Sequence, residues 1–301
     1  MKIPPPERLD DYATFFATQR SMQSDPPRLL GIDELTPEER AERDRLAAEL
    51  LRLRAAVADE ADDVPGRPRG LWHFPDGGPV RLICGRLVGA DRLPHGTAED
   101  HNYMQLAAYA DLDSLVELFG HIRAQNPGSD VRFELGRRLE SDDLQAHLVV
   151  LGSAAINRVT GLLAARIDLP VRQVEDPNIG DGEVFLDDGH PPTQFGPLFV
   201  GDDPSMPLRA DVGLFVRAPN PQNSARTLTF CSGVFTRGVY GAVRCFTDAA
   251  LRDRNEAYVA RRFGPAAEFA LLMRVAVLDH ATATPDLHLP TVRLREWPAR
   301  P

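Results

Sequence analysis

Two segments of this 301-residue chain share one construction. In each, a short apolar run leads through a turn containing Gly and Ser into a helix-forming stretch of small residues. The first segment spans residues 147–166 and the second spans residues 226–247. A buried strand that enters a helix through such a turn directs free backbone N–H groups to one place, and that place favours an anion. The pattern therefore predicts two buried strands whose helices begin beside a ligand site.

Strand-like and helix-like segments alternate between residues 80 and 263. This alternation predicts an α/β fold with a largely parallel sheet flanked by helices, in a Rossmann-like arrangement. In such a sheet, ligands bind at the carboxyl ends of the strands. The predicted Rossmann-like domain covers residues 70–301 and ends in a pair of strands, at 268–278 and 289–294. A Pro-rich arm and one long helix precede it, in residues 1–69.

The long helix of the arm is predicted over residues 37–59. It starts at Thr36-Pro37-Glu38-Glu39, where Thr36 and Glu39 have the spacing of a capping box. Its apolar positions follow a 4-3-4 spacing that makes one stripe. This stripe predicts docking on the core or on a second subunit, and hence a homo-oligomer, through Leu46, Leu50, Leu53 and Val57.

Composition excludes several classes of function. The net charge of −10 argues against non-specific nucleic-acid binding, which depends on neutralising phosphates. Lys2 is the only lysine, so a Walker A loop and a Schiff-base lysine are excluded. Three cysteines without a Cys-x-x-Cys pair, and histidines without a compact spacing, predict no metal site. No cofactor is expected. The absence of a long apolar stretch or a leader pattern predicts a cytoplasmic protein without membrane contact.

The first turn offers Gly152, Ser153 and Asn157 as ligand-binding residues. Their backbone N–H groups, the serine hydroxyl and the asparagine amide could contact a phosphate or a ribose. The alternative is an ordinary strand-to-helix turn, in which Gly and Ser serve backbone geometry and capping. The turn lacks the Gly-x-Gly-x-x-Gly pattern of dinucleotide-binding folds.

The second turn offers Ser232, Gly233, Thr236 and Arg237. Two hydroxyls and a guanidinium near a helix N-terminus suit a phosphate or a carboxylate, because an arginine can hold two of its oxygens. The alternative is that Arg237 is a solvated surface residue.

Two further sets of polar residues follow predicted strands. Asn220 and Asn223 come after the strand at 211–217, where a parallel strand would place a ligand loop, although Asn also serves turns for backbone reasons. Glu175, in the pair Glu175-Asp176 after the strand at 171–174, is the best-placed catalytic carboxylate for cleaving a glycosidic bond. The alternative is a solvated loop charge.

Cys231 and Arg237 are separated by five residues between a strand and a helix. This segment resembles the phosphate loop of cysteine-dependent phosphatases, in which a thiolate attacks phosphorus while an arginine holds the oxyanions. The resemblance implies that Cys231 is a nucleophile. Phe230 and Gly238 depart from the family's histidine and its Ser/Thr. The alternative is a small buried hydrophobic residue at a strand end.

The layout as a whole resembles the broad group of Rossmann-like nucleotide sensors and effectors, which includes TIR-like and nucleoside-processing domains. The first hypothesis is therefore a domain that binds an anionic, nucleotide- or nucleoside-type small molecule. It acts either as a sensor or as a hydrolase of the N-glycosidic kind. A phosphoester hydrolase using Cys231 and Arg237 is the second hypothesis. An oligomeric interaction protein without catalysis, built through residues 37–59, is the third.

Overall fold

The chain divides into two compact units, Met1–Pro68 and Arg69–Pro301. Our computed structural model describes residues 6–23, 26–62, 70–169, 171–179, 182–189, 191–264 and 268–298. The described α-helices of the first unit are α1 (Pro6–Phe16), α2 (Gln19–Gln23) and α3 (Pro37–Asp62). The described helices of the second unit are α4 (Leu112–Gln125), α5 (Arg158–Ala164), α6 (Thr236–Arg244) and α7 (Arg252–Phe263).

The long helix α3 begins at the predicted capping box. The Glu39 N–H donates to Thr36 Oγ1 at 3.2 Å, and the Thr36 N–H donates to Glu39 Oε2 at 2.8 Å. Helix α1 packs against α3, and the guanidinium of Arg43 bonds the Asp10 carboxylate at 2.6 and 2.7 Å. The capping pattern in the sequence therefore locates this helix correctly.

The apolar stripe of α3 is only partly covered. Leu46 and Leu50 are half-buried, whereas Leu53 is 50% exposed, and the side chain of Val57 lies outside the described residues. Leu53 is thus not covered within the described chain, and burial of the whole stripe, against the core or a second subunit, stays a prediction.

The described residues of the second unit form twelve strands. They are β1 (Val80–Cys84), β2 (Val131–Leu135), β3 (His147–Leu151), β4 (Val171–Glu175), β5 (Glu183–Asp187), β6 (Thr193–Phe195), β7 (Leu198–Phe199), β8 (Leu208–Asn220), β9 (Asn223–Gly233), β10 (Phe269–Leu278), β11 (Ala281–Thr282) and β12 (Arg293–Trp297). The main sheet has the order β11-β10-β8-β9-β3-β1-β2, with β12 on β10 and β7 on β8. Strands β4, β5 and β6 form a small antiparallel sheet.

The main sheet is mixed. Strands β2, β1, β3 and β9 run parallel, whereas β8 is antiparallel to β9 and β10 is antiparallel to β8. Only Pro221 and Gln222 separate β8 from β9, and a connection this short can join only antiparallel strands. The α/β prediction is confirmed at the level of a sheet flanked by helices. A largely parallel, Rossmann-like order is not established, because β8 and the strands beyond it make the order mixed.

Two apolar layers cover the faces of the main sheet. Helices α4, α6 and α7 cover one face around Trp72, Phe215 and Phe246. Helix α5 and the small sheet cover the other face around Phe185 and Phe230. Residues that alternate along β8 and β9 therefore point to different layers.

Helix α6 lies unusually close to β8 and β9, because glycine lines the contact. A Cβ on Gly238 would sit 2.2 Å from the Val212 carbonyl oxygen, and a Cβ on Gly233 would sit 2.4 Å from the Val239 nitrogen. A Cβ on Gly213 would likewise sit 2.6 Å from the Gly238 carbonyl oxygen. These glycines serve helix-to-sheet packing, and their spacing fixes where α6 begins at the sheet edge.

Candidate functional site

The two strand-to-helix turns lie side by side at one edge of the sheet. Strands β3 and β9 are parallel neighbours with Leu151 opposite Cys231, and the Gly152 N–H donates to the Cys231 carbonyl at 3.0 Å. The turns after these strands therefore share the carboxyl edge, as the sequence predicts. We call this edge of β1, β3 and β9 the carboxyl-edge site.

Asn157, in the first turn, is committed to internal hydrogen bonds. Its Nδ2 donates to the carbonyl oxygens of Ile83 and Leu151 at 3.1 and 3.0 Å, which ties the ends of β1 and β3 together. Its Oδ1 accepts from the Val159 N–H at 3.1 Å and caps α5. Asn157 is 2% exposed, so its role in the structure is the capping alternative rather than ligand contact.

The second turn is shorter than predicted. Ser232 and Gly233 still belong to β9, opposite Leu214 and Gly213 of β8. Ser232 is buried and donates its hydroxyl to Gln173 Oε1 at 2.8 Å, on the face of the small sheet. The irregular turn is therefore limited to Val234 and Phe235, before α6 begins at Thr236.

A carboxylate of the chain itself occupies the N-terminus of α6. Asp211 Oδ2 accepts from the N–H groups of Phe235 at 3.1 Å and Gly238 at 2.6 Å. Asp211 is fully buried, and this burial raises its pKa to about 7, while the backbone N–H donors lower it. The expectation of free N–H groups waiting for an external anion is therefore corrected, because Asp211 and Asn157 fill both helix starts.

A half-buried aspartate faces the first turn from the start of α4. Asp111 has a left-handed backbone (φ +53°), and its Oδ2 lies 3.0 Å from the place that a Cβ on Gly152 would occupy. Gly152 itself has φ +89°, which glycine adopts without strain. Burial raises the pKa of Asp111 to about 6, against a lowering by the hydrogen bond from the Thr236 hydroxyl.

A second carboxyl group lies on the other side of the same turn. Glu183 on β5 is 7% exposed and accepts a hydrogen bond from the hydroxyl of the buried Ser153. Burial raises the pKa of Glu183, and the charge of Glu175, its register partner on β4, raises it further. Glu175 is exposed. Of this register pair, Glu183 is therefore the buried carboxyl group, whereas the sequence favours its exposed partner Glu175.

Arg237 places a cation at this edge. Arg237 is half-buried in the first turn of α6, and in the described part of the chain no hydrogen bond or ion pair engages its guanidinium. The neighbouring Thr236 is exposed, and its hydroxyl donates a hydrogen bond to the Asp111 carboxylate. The carboxyl-edge site therefore combines two carboxyl groups, two hydroxyl groups and one available guanidinium.

Cys231 does not have the surroundings that a phosphatase nucleophile requires. It is 0% exposed inside β9, and burial raises the pKa of its thiol well above the usual range. A nucleophilic cysteine needs the thiolate and access to substrate. The residues after it continue the strand instead of forming a loop around an anion. The geometry therefore matches the alternative of a small buried hydrophobic residue.

Asn220 and Asn223 lie at the opposite edge of the sheet. They flank the tight turn between β8 and β9, at the amino end of β9. Asn220 Nδ2 donates to the carbonyl oxygens of Leu144 and Ala146 at 2.9 and 2.8 Å, and Asn223 Nδ2 donates to Gln145 O at 3.0 Å. The expectation that they lie beside the other ligand residues is wrong. Because β8 is antiparallel to β9, the carboxyl end of β8 lies at the edge opposite to the two strand-to-helix turns. Both amides hold the segment that leads into β3.

Sequence reasoning misses two side chains of this region, Asp111 and Gln173, and it includes Glu183 among several acidic candidates but prefers Glu175. Asp111 has a detectable signal, since it stands at a helix start beside the end of β1. Gln173 carries none, because its role depends on the small sheet folding over β9.

The described residues hold no group of three His, Cys, Asp or Glu side chains placed to bind a metal ion. Within the same residues, no helix has the length and apolar character needed to cross a membrane. Comparison of the chain with family models, with curated proteins and with solved structures gave no match.

Proposed function

We propose that this chain binds a nucleoside-type small molecule at the carboxyl-edge site, with the parallel half of the sheet acting as a Rossmann-like ligand platform. The observation that carries the proposal is the placement of Asp111 and Glu183 on either side of the Gly152–Ser153 turn. Strand order supports it. The chain passes from β1 to β2 and then returns across β1 to β3, so the order reverses between β1 and β3. Ligands of open α/β sheets bind in the crevice at such a reversal.

The chemistry of the site favours a ligand rich in hydroxyl groups. Carboxylates accept hydrogen bonds from vicinal hydroxyls such as those of a ribose. Asp211 already takes the N–H groups at the start of α6, so a phosphate would depend on Arg237. A nucleoside therefore supplies the essential contacts, and a phosphate on it adds one charge-assisted contact to Arg237.

The two carboxyl groups also suit hydrolysis of an N-glycosidic bond. Two carboxyl groups with raised pKa values can divide the work of an acid and a base. One protonates the departing base while the other, ionised, removes a proton from the water that attacks the anomeric carbon. If no bond is cleaved, the same site serves a nucleotide or nucleoside sensor.

The test is calorimetric titration of the full chain with adenosine, inosine, cytidine and uridine, followed by chromatography for released base. Asp111→Asn and Glu183→Gln keep the side-chain size and should each weaken binding about tenfold, the effect of about 1.4 kcal/mol. Glu175→Gln is the matched control, because it removes an exposed carboxylate from the same strand pair. Release of base identifies a hydrolase, and binding without release identifies a sensor.

Failure of all four nucleosides to bind would overturn the proposal. So would an effect of Glu175→Gln equal to that of Glu183→Gln. Arg237→Gln should weaken the binding of adenosine monophosphate but leave the binding of adenosine unchanged, because the proposed arrangement places the Arg237 guanidinium at the phosphate only.

A further inference from the structure

A cavity of about 410 Å³ lies between the main sheet, α5 and the small sheet. We call it the inter-sheet cavity. Small-molecule sites occupy roughly 300–1,000 Å³ and are mostly apolar with a few placed polar groups. Its charged lining residues, Asp168 and Arg172, are both exposed. The buried lining residues are Val171, Phe185, Leu214, Phe230 and Ser232.

Aromatic side chains line the cavity from two different sheets. Phe185 belongs to β5 of the small sheet, and Phe230 belongs to β9 of the main sheet. Both are nearly inaccessible to solvent. Because other side chains cover both rings almost completely, the rings contribute an apolar inner wall, which suits an uncharged ligand group.

Gln173 supplies a fixed polar edge to the same cavity. Its Nε2 donates to the Gly233 carbonyl at 2.7 Å, and its Oε1 accepts from the Ser232 hydroxyl at 2.8 Å. A carbonyl oxygen can only accept, so the Gly233 contact decides which way the amide is turned. An amide has two N–H donors and two acceptor positions. One donor position and one acceptor position of the amide therefore remain for a ligand.

The inter-sheet cavity adjoins the carboxyl-edge site. On β5, Phe185 follows Glu183 by two residues and shares its face, a separation of roughly 7 Å. On β4, Gln173 stands in the same relation to Glu175. Ala154, directly after Ser153, also lines the cavity. A molecule with its hydroxyls at Glu183 can therefore place a flat ring in the inter-sheet cavity.

We propose that the inter-sheet cavity receives an uncharged heteroaromatic ring that carries hydrogen-bond donor and acceptor groups, as a nucleobase does, and that Gln173 hydrogen-bonds the ring. The inference rests on the proposed function for the sugar part of the ligand. It adds the chemical class of the ring and the residue that selects it.

The experiment fills the cavity from α5. Ala164 lines it, and Ala164→Trp places an indole in the space intended for the ring. Leu162→Trp is the matched control, because Leu162 is 55% exposed on the same helix. Gln173→Met removes the amide that would hydrogen-bond the ring but keeps a side chain of similar length, so it does not fill the cavity. Each variant is first compared with the parent in far-ultraviolet circular dichroism and thermal unfolding.

Adenosine and free adenine are the probes, titrated by calorimetry. We expect Ala164→Trp to abolish binding of both and Gln173→Met to weaken both about tenfold, the loss expected for one or two hydrogen bonds, while Leu162→Trp has no effect. If Ala164→Trp does not fold, Gln173→Met decides the result alone.

The two proposals fail in different ways. If adenosine binds and responds to Asp111→Asn but not to the cavity variants, the ring inference is overturned and the proposed function stands. If free adenine binds in a Gln173-dependent manner but no nucleoside does, the cavity inference stands and the proposed function is overturned. If neither probe binds, both are overturned.

Discussion

Asp211 should control both the stability of α6 and its dependence on pH. In Asp211→Ala, the Phe235 N–H loses its acceptor inside the protein, and the Gly238 N–H loses the shorter of its two contacts. An unsatisfied buried donor costs about 1–3 kcal/mol, so we expect a loss of roughly 2–4 kcal/mol in the free energy of unfolding. Asp203→Ala is the control, because Asp203 accepts a backbone N–H at an exposed turn.

The pH dependence follows from the raised pKa of Asp211. The pKa is about 7 in the folded chain against an ordinary value of 3.8. The folded state therefore holds this proton more tightly, and the stability that this provides is complete below about pH 4 and lost as pH rises to about 7. At 1.36 kcal/mol per pKa unit, the change amounts to roughly 4 kcal/mol.

Asp211→Asn cannot lose this proton. Its stability relative to the parent should therefore improve between pH 4 and pH 7. Urea unfolding, followed by the fluorescence of the buried Trp72 at several pH values, measures the difference. A difference that stays constant across this range would show that Asp211 does not titrate there and would refute the reasoning.

Two further predictions concern the interior of the same unit. Asn157→Ala should lower the free energy of unfolding by roughly 2–4 kcal/mol, because two carbonyl groups and one N–H lose their partner, and urea unfolding beside the exposed-site control Asn178→Ala checks this. All three cysteines are buried with thiol pKa values raised by burial, so Ellman's reagent should react only after denaturation. Rapid reaction of Cys231 in the native protein would contradict its placement.

Local patterns were sufficient to locate most elements. The capping residues Thr36 and Glu39 mark α3, and the apolar run that opens the segment 147–166 marks β3. The sequence also predicts that the two turns share one edge, because this needs only that β3 and β9 run parallel in one sheet; their direct pairing is an additional finding of the structure. These features depend on residues close together in the chain.

The rest depends on contacts between distant residues. The direction of β8 follows from the two-residue turn at Pro221-Gln222, which the sequence analysis treats as a longer loop. Asp211 lies 27 residues before Gly238 in the chain, so its capping of α6 has no local signature. Glu183 and Glu175 are register partners on the same face of the small sheet, so only the packing of that sheet against residues distant in the chain decides that Glu183 is buried and Glu175 exposed.

Hydrogen–deuterium exchange with and without saturating adenosine tests the central claim most directly. We expect slower exchange around Asp111, in the Gly152–Ser153 turn and around Glu183, with little change in the turn between Asn220 and Asn223 at the opposite edge. Protection confined to that opposite edge, or no protection at all, would contradict the assignment of the carboxyl-edge site.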